Sequence, residues 1–441
     1  MQAGKDHRDA KKRERRGPEP EGPTEFRGYR YRIQLTPQVA DALDQLFRGC
    51  RFVYNQYVAL CRTAHDAGEP HPSEFAAVKS LVTDARKTES TAWLASYASS
   101  VLASTVRDGD RAYQNFFDSV AGRRKGSRVG PPRFRRYTDE QNARFPNGSF
   151  NIRGGWANTQ RGGGRLYLAK IGHVHVDWYR PLPSLPSSVT ISRDSDGTWH
   201  ASFTVKVETE MAPTSDESDR IVGIDLRLAD YAALVYSDGT REKVAAPKYY
   251  RAAERKLARA NQALARTEKH SKNHEKARAE VARIHQRVVD LRTNFSRQLA
   301  AQLVRDNQVI CMEDLDIAGM VADGHTERRK SIHDVAWATF RRDLATAAER
   351  AGQEIVLAPR YFPGTQTCAV CGHRGGKIPT DIRQWTCGCG AVLDRDYNAA
   401  TNHLMLARGS VESLNACGSS RAQLAGPEDE SGTAPCGDES A

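Results

Sequence analysis

The chain has 441 residues, 39% of them hydrophobic and 27% charged, with a formal net charge of +11. That is enough apolar material for about three domains at ~150 residues each, and it excludes wholesale disorder. No run approaches ~18 apolar residues, which argues against a membrane-spanning helix, and the charged opening MQAGKDHRDAKKRERRG does not read as a secretory signal.

Lys and Arg outnumber Asp and Glu by 65 to 54. Such an excess points to a polyanionic partner, because cations that neutralise phosphates release condensed counterions. The segment after Gly409 holds six acids and one Arg, so the body of the chain is more basic than the total suggests.

In chain order, residues 1–24 read as a basic flexible arm. YRYRIQL, around 30–35, alternates like a strand. The following segment repeats Leu43, Leu46, Phe47, Cys50, Val53, Tyr54 and Tyr57 at intervals of three and four, which predicts a helix. A second helix is expected over about 91–118. The loop AGRRKGSRVGPPRFRRY (121–137) carries seven basic residues interleaved with Phe134 and Tyr137. That mixture suits phosphate contact with base stacking, against the plainer reading of a solvated loop. From about 144 to 208 short strands follow, separated by turn signals such as Asp196-Gly197, and the YRYRIQL strand is expected to complete their sheet. Residues 209–219 read as a linker.

IVGIDL and YAALVYSDG then read as a strand pair. A helical region over about 247–306 is broken into a hairpin near EKHSKNHEK (268–276), and residues 251–306 hold 14 Lys/Arg against six Asp/Glu. NQVICMEDL reads as a buried strand, 334–352 as a helix and IVLAPRYF as a strand. A cysteine module follows, then an alanine-rich helix from Tyr397 and a polar tail.

Three acids stand out. Asp225 ends the apolar run IVGIDL, Glu313 ends VICME, and Asp396 precedes the alanine-rich helix. Each has an ordinary explanation: Asp225 a turn initiator, Glu313 a surface acid, Asp396 a helix N-cap. Taken together, carboxylates on two strand ends and a helix start can converge on hard cations such as Mg2+. Two ions about 3.5–4 Å apart suit in-line hydrolysis of a phosphodiester.

The cysteines run Cys368-x2-Cys371, fifteen residues, then Cys387-x-Cys389. Four thiolates fill a tetrahedral Zn2+ with no open position, which makes the site structural. His373 is a reserve ligand. Cys50, Cys61 and Cys311 read as core residues, while Cys417 and Cys436 lie in the tail.

Over roughly 25–417 these motifs resemble the TnpB family, transposon-encoded RNA-guided DNA nucleases similar to the miniature type V CRISPR effectors. VGIDL with Asp225, MEDLDIAGM with Glu313 and DRDYNAATN with Asp396 match the family's three RuvC motifs, and CAVCG with WTCGCG matches its zinc ribbon. YRYRIQLTP and RFVYNQY resemble its opening, SVTISRDSDGTWHASFTV its barrel, and ESLNACG a tail seen in members.

The resemblance implies an α+β multidomain fold: an oligonucleotide-binding-like β-barrel with an inserted helical bundle, then an RNase H-like (RuvC) α/β domain with an inserted zinc ribbon. The expected domains are the arm (1–24), the barrel or wedge domain (25–70 and 144–210), the helical recognition module (71–143), the nuclease domain (211–365 and 391–408), the ribbon (366–390) and a disordered acidic tail (409–441).

The implied activity is RNA-guided, Mg-dependent DNA cleavage in the bacterial cytoplasm, associated with the nucleoid. Asp225, Glu313 and Asp396 are its catalytic magnesium ligands, holding two ions, and Cys368, Cys371, Cys387 and Cys389 bind one zinc. Guide RNA and double-stranded target DNA are the partners, with no membrane, and the oligomeric state is left open. In this division of labour base pairing reads the target while protein reads a short flanking duplex motif. The basic loop and the 251–306 helices would hold guide and heteroduplex. Asn398 is expected to support the site.

Members usually carry Gly two positions after the first Asp, as in GIDLG. Here that position is Arg227. A guanidinium there either competes for the carboxylates or points outward. That keeps open an RNA-guided protein that binds without cutting; a transposase-type strand-transfer enzyme and a hydrolase of any RNA hybrid stand beside the nuclease as further alternatives.

Overall fold

The computed structural model describes residues 24–124, 128–137, 141–153, 164–208, 220–322, 326–360, 362–376, 378–379 and 382–416. The expected arm (apart from Thr24), the linker 209–219 and the tail beyond Ala416 lie outside them. The chain divides into two compact units, residues 1–209 and 210–441.

In the first unit, β1 (Thr24–Gln34) leads into α1 (Pro37–Asp66). Thr36 caps α1 by accepting from the Val39 amide, and Pro37 occupies the first turn, where its missing N–H costs nothing. The apolar stripe predicted from periodicity is buried, from Leu43 to Tyr57. The second helix starts later than expected, at α2 (Ser99–Val120). Residues 89–96 instead form tight turns, because Thr88 and Thr91 turn their hydroxyls back to the Asp84 and Ala85 carbonyls.

Six strands follow: β2 (Gln141–Pro146), β3 (Phe150–Ile152), β4 (Leu166–Leu168), β5 (Gly172–Val176), β6 (Pro186–Arg193) and β7 (Trp199–Glu208). With β1 they make one antiparallel sheet in the order β2-β6-β7-β1-β5-β4-β3. β1 thus lies between β7 and β5, as its alternation required. β2 begins at Gln141, within the stretch expected to be helical. Its alternating Ala143 and Phe145 join the core that the sheet shares with α1 and α2.

In the second unit, β8 (Ile221–Leu226), β9 (Asp230–Tyr236), β10 (Arg241–Ala245), β11 (Val309–Glu313) and β12 (Glu354–Ala358) form a sheet ordered β10-β9-β8-β11-β12. The β8-β11-β12 part is parallel. Continuous apolar runs such as IVGIDL and VICM mark strands covered on both faces. Val222, Ile224, Ile310 and Met312 face α4 (Lys272–Asp306) and α7 (Trp337–Ala351). The opposite face packs on α8 (Arg395–Ala416), through Ala400, Leu404 and Ala407.

α3 (Tyr249–Ala265) pairs with α4 as the expected hairpin, broken at 266–271 where Ser271 caps α4. Only Leu257 of α3 is buried, and Arg255, Lys256 and Arg259 are exposed. α5 (Ile317–Ala322) and α6 (Thr326–Val335) precede α7. The single helix expected over 334–352 is interrupted at Ala336, which adopts a left-handed φ of 53°. α8 continues to Ala416, past position 409 where the tail was expected, because SVESLNA contains no helix breaker. No helix among the described residues is long and apolar enough to cross a membrane.

Candidate functional site

Parallel pairing positions the first two acids. The β8–β11 register sets Ile224 opposite Met312, so Asp225 and Glu313 come level at the strand ends. Side chains alternate along a strand. Val222 and Ile224 face α4 and α7, so Gly223 and Asp225 face α8. By the same count Glu313 follows Cys311 onto that face.

α8 approaches this face closely. A Cβ on Gly223 would lie 2.1 Å from the Ala400 carbonyl oxygen and 2.5 Å from the Leu404 nitrogen, so VGIDL needs glycine there. His403, buried on α8, donates from Nδ1 to the Ile224 carbonyl at 2.8 Å, one residue before Asp225. Burial keeps its pKa below the usual value.

α8 begins at Arg395, and its N-cap is Asp394, which accepts from the Asp396 and Tyr397 amides at 2.9 and 3.1 Å. Asp396 is thereby spared the capping role and is itself buried. It pairs with the Arg227 guanidinium. Lys243 on β10 bonds Asp394 at 2.8 Å and stands 3.6 Å from Asp396 Oδ2.

Asp225 has a different environment. It is 8% exposed and makes no side-chain hydrogen bond or ion pair among the described residues. Burial, followed by the charge of Glu313, pushes its carboxyl up to about 8, with Arg395 opposing and Asp394 adding to the rise. Burial and then Asp314 raise Glu313. Asp314, assigned no role by sequence, pairs with Arg341 at 3.0 Å and Arg360 at 3.3 Å.

The three predicted acids thus share one end and one face of the second unit's sheet, with Asp225 and Glu313 electrostatically coupled and Asp396 engaged by cations. Among the described residues, only the four cysteines form a set whose ligand atoms all lie within 4.8 Å of one another. A buried carboxylate without a direct ion pair, with two more carboxylates at the same end of the sheet, is a donor set of the kind that suits hard divalent cations.

Cys368, Cys371, Cys387 and Cys389 converge, with Sγ···Sγ distances of 3.9 Å (Cys368–Cys389) and 3.7 Å (Cys371–Cys387). Four bonds of ~2.3 Å in a tetrahedron require about 3.8 Å between sulfurs, so the set fits Zn2+. His373 is exposed and outside the set. Cys50, Cys61 and Cys311 are buried, as expected. The short hairpin of β13 (Gln384–Thr386) and β14 (Val392–Asp394) runs from this module straight to the Asp394 cap.

Asn398 and Asn402, one turn apart on α8, tie the module down. Asn398 accepts from the Ala369 amide at 2.9 Å, and both asparagines donate to the Gly364 and Thr367 carbonyls at 2.7–3.2 Å. Asn398 was picked from the motif; Asn402, His403 and Lys243 were not. The signal for the first two was NAATNH, with polar residues on the buried side of an alanine-rich helix. Lys243 had none.

A second surface lies in the first unit. Asn55 brackets the backbone of Arg135, donating to its carbonyl at 3.1 Å and accepting from its amide at 2.8 Å. This straps residues 128–137 along α1. Arg62 stacks on Phe134 at 4.5 Å, Arg135 on Tyr54 at 3.9 Å and Arg51 on Tyr137 at 5.3 Å. Phe134 and Tyr137 stay exposed.

Comparison with known proteins accords with this geometry. Residues 202–323 match a family model named OrfB_IS605 and described as "Probable transposase". Residues 337–403 match the "Cas12f1-like, TNB domain" model, and 26–70 a "Helix-turn-helix domain" model. A Streptomyces pristinaespiralis protein named "Putative RNA-guided DNA endonuclease" is 35% identical over 396 residues, covering 89% of this chain and 91% of that protein. The chain belongs to the TnpB family.

A second TnpB relative, "Putative RNA-guided DNA endonuclease InsQ" of Escherichia coli K12, is 29% identical over 404 residues, covering 86% and 94% of the two chains. Among solved structures, Cas12f1 bound to guide RNA and target DNA aligns with a TM-score of 0.50 at 11% identity, over 86% of this chain and 98% of that one. The miniature RNA-guided endonuclease Cas-phi3 aligns at 0.53 and 9% identity, over 88% and 92%. At such identities the likeness establishes a shared multidomain α+β fold. In this TnpB chain the transposase match contains Asp225 and Glu313, and the TNB match contains the four cysteines and Asp396. The helix-turn-helix match folds here as β1 and α1.

Proposed function

We propose that this TnpB-family protein is an RNA-guided DNA endonuclease that hydrolyses phosphodiesters at Asp225, Glu313 and Asp396. The observation that carries the reading is the level placement of Asp225 and Glu313 on adjacent parallel strands, facing the helix that delivers Asp396. We read the second unit as a RuvC-like, RNase H-like domain with a zinc ribbon at 366–390. The sheet of the first unit reads as an oligonucleotide-binding-like wedge barrel with residues 71–143 as its recognition module.

Two magnesium ions bound by the acids would supply Lewis acidity for the attack of water and the departure of the leaving oxygen. Asp225, buried without an ion pair, and Asp396 would share the ions. Glu313 would complete the oxygen donors. His403 and Gly223 set the distance of α8 from β8, which fixes Asp396 relative to Asp225. The four cysteines hold one structural zinc, and Asn398 and Asn402 pass its rigidity to α8. The arginine–aromatic strap of 128–137 and the exposed α3–α4 hairpin supply cations and stacking faces for guide RNA and its heteroduplex. Its place of action is the bacterial cytoplasm, at the nucleoid.

The test is cleavage of a matched target by the protein reconstituted with its co-purifying RNA and Mg2+. Asp225→Ala, Glu313→Ala and Asp396→Ala should each abolish products while leaving RNA binding intact. Activity surviving Asp225→Ala refutes the assignment. Products without RNA would select the strand-transfer reading instead. One observation favours a second reading, guided binding without cutting: Arg227 occupies Asp396. Tight target binding with no products in either Mg2+ or Mn2+ would select it.

A further inference from the structure

Arg227 follows the end of β8 and is anchored by its backbone, the amide donating to the Tyr231 carbonyl at 3.0 Å. Its side chain turns inward. It is 13% exposed and pairs with Asp396, which is 4% exposed. Lys243 approaches the other oxygen of Asp396. Asp225 and Glu313, by contrast, form no ion pair among the described residues. The site therefore supplies its own cations to one carboxylate and leaves the other two for something else.

We propose that Arg227 is a substrate-phosphate ligand of the nuclease site, held on Asp396 until divalent metal takes that carboxylate, so that metal and DNA bind cooperatively. This rests on the nuclease reading above and adds a residue to it.

The argument is electrostatic. A guanidinium cannot escape burial by losing its proton, so it needs an anion wherever it sits. Here that anion is Asp396. When Asp396 becomes a metal ligand, Arg227 loses its counter-ion while positive charge rises beside it. A phosphodiester entering the site carries the missing charge on two non-bridging oxygens, which match the planar fork of the guanidinium. Metal without DNA therefore costs a stranded buried cation, and metal with DNA does not. Reciprocity then requires each to raise the affinity of the other by one common factor, commonly ~5–150-fold for such couplings. The chain is thus biased against loading its hydrolytic metals before a target strand arrives.

Mn2+ uptake by the full-length, guide-loaded protein, read from the electron paramagnetic resonance of free Mn2+ with and without target duplex, tests this. Wild type should take up Mn2+ weakly alone and about tenfold more tightly with target. Arg227→Ala should bind Mn2+ about tenfold more tightly than wild type without target and should lose the response to it. Arg227→Lys, which keeps charge but not the fork, should stay close to wild type without target and show a reduced response. Equal Mn2+ affinity in wild type and Arg227→Ala, or an equal target effect in both, overturns the proposal. Asp225→Asn in each background separates the two levels. Uptake that needs Asp225 but ignores Arg227 overturns the role of Arg227 alone, whereas uptake indifferent to Asp225 overturns the nuclease site and this inference with it.

Discussion

Asp225 and Glu313 stand level at the ends of adjacent parallel strands, and the charge of Glu313 adds to burial in pushing the Asp225 carboxyl up to about 8. A carboxyl whose folded pKa is raised binds its proton more tightly when folded. Its stabilising contribution is fully present below the ordinary value of 3.8 and is lost as pH rises through about 8. The metal-free protein should therefore lose stability between pH 4 and 8 by up to about 1.4 kcal/mol per pH unit from this group. Asp225→Asn should remove that slope, melting above wild type at pH 8 without metal, and should also forfeit the Mn2+-induced rise in Tm. Melting curves in chelator across pH 5–8 check the first outcome; an unchanged slope in the variant would contradict it.

Gly223→Ala should disable the site without touching a carboxylate. Its Cβ has only backbone to meet, the Ala400 oxygen and Leu404 nitrogen, so α8 must move away from β8. Overpacking of this kind costs about 1–3 kcal/mol or more. The expected result is a lower Tm and a large loss of cleavage, with hydrogen exchange increased at the amides of 399–404. Wild-type cleavage in the variant would mean that α8 does not hold Asp396 through this contact.

Zinc removal should reach the same helix by another route. Cys371→Ser should abolish the one equivalent of zinc expected by metal analysis. It should also raise hydrogen exchange in α8, because Asn398 and Asn402 grip the loop entering Cys368. Asn398→Ala should keep the zinc yet cost about 1–3 kcal/mol, since it orphans the Ala369 amide and leaves the Gly364 and Thr367 carbonyls to Asn402 alone. Unaltered exchange in α8 on loss of zinc would separate module from helix.

The strap of the first unit should contribute to RNA affinity mainly through charge. Arg128 and Arg133 are exposed. Replacing either by Gln should reduce the slope of log Kd against log salt by about one, nearly independently of RNA sequence. Phe134→Ala should weaken binding by about 1–3 kcal/mol at any salt if a base stacks there. Filter binding at 50–300 mM salt distinguishes the two.

Much of this site was legible in the chain. An acid at the end of VGID or VICME is conspicuous because strands buried on both faces are apolar throughout, and the cysteine spacing states its own geometry. Other features were not legible. Capping preference made Asp396 a candidate N-cap, but the β14 hairpin brings Asp394 into that position. Ala336 gave no local sign of a break, because a left-handed alanine is imposed by the packing of Trp337 and Phe340 into the core rather than by its own preference.

By itself, the sequence determined the periodicities, the cysteine quartet and the identities of the three acids, because these follow from local spacing and side-chain chemistry. Only the tertiary structure decided which groups those acids face. Parallel register brought Glu313 to Asp225, the absence of a side chain at Gly223 brought α8 within reach, and the β8–β9 turn aimed Arg227 at Asp396. Each depends on contacts between residues far apart in the chain, which no local pattern encodes.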